Sequence, residues 1–148
     1  MTIFIKKGET IFTKDIFEEI GGKGINQAVA AARIGVDVSF LVAIGDDYNG
    51  KLCKELLQKE NIKDCLSLKK GIPTTFAFIL VDKNVDNQVT GYHGAELTKE
   101  DVLNFSDEIC SSDIYCYNRK SLKRSTSLPF LLHKRIMLRS FLTLRQKV

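Results

Sequence analysis

Apolar and polar residues alternate along the chain in blocks that are typical of an α/β fold. The almost continuously apolar run at residues 37–44 predicts a parallel strand near residues 38–43 that is buried on both faces. Residues 113–116 begin a further strand, and the β-rich runs at residues 74–82 and 88–92 predict a hairpin across a polar turn. Helical spacing of apolar residues predicts three helices, near residues 24–34, 50–60 and 99–109.

The most informative stretch is G-G-K-G-I-N-Q-A-V-A-A-A-R-I-G at residues 21–35. Its first glycines allow the backbone to approach a ligand closely, because no Cβ stands in the way. An alanine-rich helix follows, and Gly35 lies where a left-handed residue would end it. A glycine turn before a helix directs several N–H groups to one point, which suits a hydroxyl-rich or anionic ligand, and Lys23 and Asn26 add side-chain donors. A tight turn before a packed helix is the alternative interpretation.

This stretch resembles the first signature of the ribokinase-like (PfkB) sugar kinases, G-G-K-G-x-N-Q-A-V-A-A-A-R-x-G. The resemblance implies a partial ribokinase-like, Rossmann-like three-layer α/β domain with a small β lid formed by residues 9–17, 74–82 and 88–92. It also implies ATP-dependent phosphorylation of ribose or a related sugar, with Mg-ATP as cofactor and a small-molecule sugar as partner. The substrate-binding residues that it implies are Gly21, Gly22, Lys23, Gly24 and Asn26.

Other segments follow the same family or depart from it. Residues 7–10 (K-G-E-T), 45–50 (G-D-D-Y-N-G) and 97–101 (L-T-K-E-D) resemble family segments. The family's opening N-x-D turn does not precede residue 8, and the late G-A-G-D motif, which supplies the catalytic base, does not occur. The resemblance therefore implies that the C-terminal half is missing, that no catalytic residue can be assigned, and that Mg-ATP is not expected to bind well.

Several residues that could carry chemistry have simpler interpretations. Asp46 and Asp47 are adjacent, and acidic residues at a helix start are more common than a metal site there, so no metal ligand is predicted. His93 belongs to no recognisable catalytic motif and is interpreted as a turn residue. The cysteines lack C-x-x-C spacing, which indicates reduced thiols in place of a zinc site or a disulfide framework; they are Cys53, Cys65, Cys110 and Cys116.

Composition and charge bear on location and on the last part of the chain. No run of about 18 apolar residues occurs and the N-terminus does not resemble a signal peptide, so we expect a cytoplasmic protein with no membrane partner. All 18 acidic residues lie in residues 1–115, whereas nine of the 22 basic residues lie in residues 116–148. We therefore predict a partial sugar-kinase domain at residues 1–115 and a basic tail at residues 116–148 that is not part of the fold.

The tail has two competing explanations. Codons for residues 116–121 and 135–146, read one base out of register, can yield sequences that resemble the Q-x-E-x-P and N-P-A-P segments of the family, which indicates an out-of-frame translation. A nucleic-acid-binding tail is the alternative, but no aromatic platform or known binding motif accompanies the charges. We therefore predict a sugar-kinase fragment that is inactive alone and binds no nucleic acid. A non-catalytic sugar-binding or regulatory module is the second hypothesis, and dimerisation through the lid, frequent in the family, stays open.

Overall fold

The computed structural model describes residue 5 and residues 7–82, 84, 86–117 and 141–145. The elements in chain order are α1 (Lys23–Arg33), β1 (Asp37–Gly45), α2 (Tyr48–Lys59), β2 (Lys63–Lys69), β3 (Phe76–Val81), β4 (Asn87–Tyr92), α3 (Lys99–Asn104), α4 (Ser106–Cys110), β5 (Ile114–Tyr117) and β6 (Phe141–Arg145). A sheet with strand order β2-β1-β6-β5 forms the centre, and β3 and β4 form a separate antiparallel hairpin.

Strand β1 is covered on both faces. Its even-numbered residues Val38, Phe40 and Ile44 belong to a buried cluster with Ala28 of α1 and Leu57 of α2. On its other face, the Ser39 hydroxyl donates to Glu108 Oε1 of α4 at 2.6 Å. Helices therefore lie on the two faces of the sheet, which explains the almost continuously apolar run and confirms the predicted α/β class and the strand near residues 38–43.

Strand β2 was not predicted, and its sequence shows why. Lys63–Lys69 (K-D-C-L-S-L-K) mixes charged, small and apolar residues, so it lacks a strong strand signal. The strand forms because it pairs in parallel with β1 over residues 39–45, which buries Cys65 and Ser67. Parallel pairing across a helical connection is a tertiary contact that local sequence does not encode.

The single helix predicted near residues 99–109 is wrong, because the structure contains two short helices there. Helix α3 ends at Asn104 and α4 begins at Ser106, because Phe105 leaves helical geometry with φ of −106° and ψ of 21°. Each half makes its own contact with the sheet: Asp101 of α3 binds β2, and Glu108 of α4 binds Ser39 and Lys63. The break allows both halves to satisfy these contacts.

The predicted lid is confirmed only as a hairpin. Strands β3 and β4 pair from Phe76 opposite Tyr92 to Val81 opposite Asn87. Residues 9–17 form no strand, so that part of the lid prediction is wrong. Nothing in the described chain pairs with this segment, and Phe12 and Phe17 are 94% and 85% exposed.

Two parts of the predicted tail lie in the described sheet, at the end of β5 and in β6. Strand β6 lies between β1 and β5 and is antiparallel to both, so β1, β2 and β5 share one direction. Residues 116–117 end β5 and residues 141–145 form β6, so these parts of the predicted tail pair in the sheet, whereas the assignment of residues 116–148 as a separate tail stays a prediction. Residues 118–140 and 146–148 are outside the described residues. None of the described helices has the length and apolar character needed to cross a membrane.

Candidate functional site

The start of α1 presents an open backbone turn at the surface. Gly22 precedes the helix with φ of 119°, a conformation that residues with a Cβ rarely adopt, and its carbonyl accepts from the Asn26 N–H at 3.0 Å. Because the capping residue is a glycine, no side-chain oxygen of that residue satisfies the first N–H groups of the helix. A Cβ at Gly21 or Gly22 would meet no heavy atom within 4 Å among the described residues, so the space before the helix is open.

The structure brings the five predicted substrate-binding residues together at this turn. Gly21, Gly22, Lys23 and Asn26 are exposed, whereas Gly24 is buried with the first turn of the helix. Two potential side-chain donors therefore stand beside a set of backbone donors. This arrangement is chemically suited to hydroxyl or anionic groups, which accept hydrogen bonds.

The turn lies at the edge of the sheet where ligands commonly bind in α/β folds. Gly35, with φ of 90°, reverses the chain after α1, and its N–H donates to the Ala32 carbonyl at 2.9 Å, so the predicted left-handed residue at the end of the helix is confirmed. Helix α1 packs on β1 directly after this short reversal, so the two run in opposite directions. The start of α1 and Gly45, the last residue of β1, therefore share the carboxyl edge of the parallel strands.

A second constellation at the same edge joins β1, α2 and the segment before β3. Asp47 is the N-cap of α2, and its Oδ1 accepts from the Gly50 N–H at 2.9 Å and from the Thr74 hydroxyl at 2.6 Å. Its Oδ2 accepts from the Thr74 N–H at 2.7 Å. The Thr74 hydroxyl in turn accepts from the Gly45 N–H at 2.9 Å. The Thr74 hydroxyl is the main cause that lowers the pKa of Asp47 from its ordinary value, against the opposing effect of burial.

The two chain segments at the base of the hairpin are also bound to each other. The Ala95 N–H donates to the Pro73 carbonyl at 2.8 Å, and the Gly94 N–H donates to the Thr75 hydroxyl at 3.0 Å. A Cβ at Gly94 would lie 1.9 Å from the Pro73 carbonyl oxygen, so only glycine permits this approach. Residues 72–75 and 93–95, the hairpin base, thus form one connected unit.

Asp101 forms a third polar cluster, on the edge strand β2. Its carboxylate accepts from Ser67 Oγ and Lys69 Nζ, each at 2.6 Å, and from the N–H and hydroxyl of Thr98 at 2.6 and 2.7 Å. Burial alone would raise the pKa of Asp101, but the hydrogen bonds from Lys69, Ser67 and Thr98 outweigh it and hold that pKa well below its ordinary value. The capping box predicted from Thr98 and Asp101 is confirmed, since each side chain accepts from the other residue's backbone N–H.

The remaining candidates have structural surroundings. Asp46 is exposed, whereas both carboxylate oxygens of Asp47 are occupied by protein donors. His93 is exposed, and its Nδ1 lies 3.8 Å from Glu96 Oε1, which is longer than a hydrogen bond. All four cysteines are free, and burial raises the pKa of the Cys53 and Cys65 thiols to about 11, which makes them poor nucleophiles. Within the described ranges, no group of three acidic, histidine or cysteine side chains could hold a metal ion.

The sequence analysis did not predict the role of Thr74 or its close packing against Gly45 and Gly50. Thr74 is 27 residues from Asp47 and 29 from Gly45, so no local pattern reveals their contact. A Cβ at Gly45 would lie 2.3 Å from the Ile72 carbonyl oxygen, which indicates how closely the hairpin base packs on the end of β1. Residues 45–50 (G-D-D-Y-N-G) contain Gly45 and Asp47, but their sequence predicted only the start of a helix and not the contact with Thr74.

Fold and site together describe an α/β protein with an open glycine turn at the carboxyl edge of its parallel strands and a hairpin based at that edge. The model of the pfkB family of carbohydrate kinases matches residues 3–132, and the chain belongs to that family. The matched region extends beyond residue 115, where the sequence predicted the family part to end.

Individual relatives agree with the family. Ribokinase from Haemophilus influenzae is 37% identical over 113 residues, which are 74% of this chain and 37% of that protein. The structure of ribokinase from Thermotoga maritima matches with a TM-score of 0.59 and 38% identity over 66% of this chain and 33% of its own. Ribokinase from Cryptococcus neoformans in complex with ADP matches with a TM-score of 0.57 and 27% identity, over 83% and 32% of the two chains. The chain thus spans little more than a third of the curated relative.

Proposed function

We propose that this chain carries the sugar-binding part of a ribokinase-like carbohydrate kinase and that its ligand is ribose or a related sugar. The observation that carries the proposal is the open turn at Gly21 and Gly22, which directs the first N–H groups of α1 to the carboxyl edge of the parallel strands. The family membership and the relatives that are named ribokinases support the class of ligand.

Each of the five site residues has a role in this proposal. Gly21 and Gly22 let sugar hydroxyls approach the backbone, and Gly24 allows the first turn to pack beneath them. The Lys23 ammonium donates to hydroxyl oxygens. The Asn26 amide both donates and accepts, so it can bind a hydroxyl in either orientation. A sugar is favoured over a simple anion because Asn26 is a neutral group with both capacities.

No group of three acidic, histidine or cysteine side chains among the described residues could hold the metal ion of Mg-ATP. Asp47 is engaged by Thr74 and Gly50, and no other acidic group within the described ranges joins it to bind a metal ion. Phosphoryl transfer depends on positioning and on charge stabilisation around the transferred group. We therefore propose that the 148-residue chain does not transfer a phosphoryl group by itself. A non-catalytic sugar-binding module would use the same site.

The proposal is tested by titrating the ¹⁵N-labelled full chain with D-ribose. We expect the amide signals of residues 21–26 to shift. We also expect Asn26→Ala to weaken ribose binding roughly threefold to tenfold, the loss of about one hydrogen bond. The matched control is Gln58→Ala, which removes an exposed amide near the end of α2 at the opposite edge of the sheet.

Two results would contradict the sugar site. One is that ribose leaves the signals of residues 21–26 unchanged while the chain is folded, and the other is that Gln58→Ala weakens binding as much as Asn26→Ala. Adding a nucleotide-binding half in trans separates the two sugar-binding hypotheses, because restored turnover favours a kinase part and its absence favours a binding module.

A further inference from the structure

The hairpin β3–β4 depends on its base for its position. All residues of β4 are exposed, and β3 has only two half-buried residues, so the strands themselves are hardly covered. Among the described elements, β3 and β4 make extensive contact only with each other. The orientation of the hairpin relative to the sheet must therefore be determined at residues 72–75 and 93–95.

The contacts at the base fall into two groups with different mechanical consequences. The bonds from Ala95 to Pro73 and from Gly94 to Thr75 lie within the base, so they move together with the hairpin. The bonds of Thr74 to Asp47 and Gly45 join the base to α2 and β1. A rotation of the hairpin about its base leaves the first group intact and must break the second.

Asp47 is more than a helix cap. Capping of α2 requires only one oxygen, which receives the Gly50 N–H. The same carboxylate also accepts from both the N–H and the hydroxyl of Thr74, at 2.7 and 2.6 Å, and this two-point contact restricts the direction of the segment as well as its distance. A Cβ at Gly50 would lie 2.3 Å from the Gly45 carbonyl oxygen and 3.1 Å from Thr74 Oγ1, so close packing surrounds the pair.

We propose that the Asp47–Thr74 pair is a latch that fixes the angle of the hairpin on the sheet, so that Asp47 and Thr74 are positioning residues for the hairpin. The latch is closed in this structure. Opening it frees the hairpin as a rigid unit without unfolding the sheet or the hairpin. The inference rests on the hydrogen bonds of the base alone and stands whether or not the chain binds a sugar.

The test compares Thr74→Val with Thr74→Ser in the full chain. Valine preserves the shape of the side chain but removes the hydroxyl, whereas serine retains it. Neither variant alters the bond between Asp47 and Gly50 that caps α2. Spin labels replace the exposed Gln58 of α2 and Gln88 of β4, with the native Cys110 and Cys116 changed to serine, and pulsed dipolar spectroscopy measures the distance between them.

The latch predicts a broader or shifted label distance in Thr74→Val and a return to the original distance in Thr74→Ser. It also predicts that the Gly45 amide exchanges with solvent at least about tenfold faster in Thr74→Val, because its acceptor is lost, while the Gly50 amide is unchanged. Asp47→Ser is the second variant, since its single hydroxyl can cap α2 but cannot also bind both groups of Thr74. It should broaden the same distance if Thr74→Val does not fold.

An unchanged label distance in folded Thr74→Val or in folded Asp47→Ser would overturn the proposal. The same conclusion would follow if Thr74→Ser behaved like Thr74→Val, because the hydroxyl would then have no role in holding the hairpin. Equal acceleration of the Gly45 and Gly50 amides would show a general loosening of this edge, which is also incompatible with a latch.

Discussion

Asp101→Asn tests whether the polar cluster on β2 holds α3 against the sheet. The Asp101 carboxylate accepts two hydrogen bonds from β2 and two from Thr98. An asparagine has nearly the same shape, but one oxygen becomes an NH₂ group. The NH₂ group faces the Ser67 hydroxyl if it occupies the Oδ1 position, or the donors of Lys69 and Thr98 if it occupies the Oδ2 position, so the substitution loses acceptor capacity as well as charge.

The expected loss of stability in Asp101→Asn follows from how deeply the Lys69–Asp101 ion pair is buried. Breaking a buried pair costs about 3–5 kcal/mol, and a hydrogen bond to a charged group contributes about 1.5–3 kcal/mol. The side chains of Lys69 and Asp101 are 19% and 12% exposed, so water screens part of the interaction. We therefore expect Asp101→Asn to lower the local free energy of opening of β2 and α3 by about 2–3 kcal/mol.

Hydrogen exchange of the β2 and α3 amides at neutral pH measures this loss without requiring a cooperative global transition. Asp107→Asn is the matched control, because Asp107 is exposed in the first turn of α4 and should change the local stability by less than about 0.5 kcal/mol. Lys69→Met in both backgrounds completes a double-mutant cycle, with an expected coupling of about 1–3 kcal/mol.

The reasoning fails if Asp101→Asn accelerates exchange no more than Asp107→Asn does. It also fails if Lys69→Met has the same cost with and without the Asp101 carboxylate, since the ion pair would then contribute nothing to the attachment of α3.

Four further predictions follow from the same contacts and from the family. Folding lowers the pKa of Asp101, so the stability that its carboxylate contributes is fully present above the unfolded pKa of about 3.9 and is lost progressively as the pH falls below that value. Hydrogen exchange measured between pH 3 and pH 7 would detect this loss, and equal losses in wild type and Asp101→Asn would contradict the prediction. Gly45→Ala should destabilise the hairpin base by more than about 2 kcal/mol, because its Cβ would meet the backbone of residues 72–74 at 2.3–2.8 Å. Gly21→Ala is the comparison for thermal melts, because a Cβ there meets no heavy atom within 4 Å and the residue has no positive φ. The purified chain should show no ribose-dependent ADP release in a coupled assay, and turnover that Asn26→Ala abolishes would overturn this. If residues 116–148 are translated out of frame, size exclusion should show aggregation that a frame-restored gene removes, whereas a monodisperse chain with a sharp melt and a protease-resistant tail would refute the frame-shift explanation.

Local chemistry was readable from the sequence wherever one segment contains its own physical cause. The glycine turn and the alanine-rich helix predicted α1, and Gly35 predicted its left-handed end. The almost continuously apolar run predicted β1, because a strand covered on both faces has no side that is exposed to water. Thr98 and Asp101 predicted a helix start through the reciprocal capping bonds of neighbouring residues.

The errors have one common origin, which is contact between distant segments. Strand β2 forms from a weak strand sequence because β1 offers a paired edge, while residues 9–17, a better β-rich sequence, form no strand because no described segment pairs with them. The helix near residues 99–109 breaks at Phe105; α3 then binds β2 through Asp101, and α4 binds both β1 and β2 through Glu108. Strand β6 likewise enters the sheet by pairing with β1 and β5.

For this protein, then, the sequence by itself determined the α/β class, the helix with its glycine turn, the central buried strand and the family, since these depend on side-chain pattern and backbone freedom within short segments. Only the tertiary structure decided that Asp47 binds Thr74, that Asp101 binds Ser67 and Lys69, and that the start of α1 and the hairpin base share one edge of the sheet. The physical reason is that a hydrogen bond or a strand pair between residues about 30 positions apart forms only if the fold brings the two segments next to each other. Whether it does so depends on the packing of the whole domain and not on the residues that make the contact.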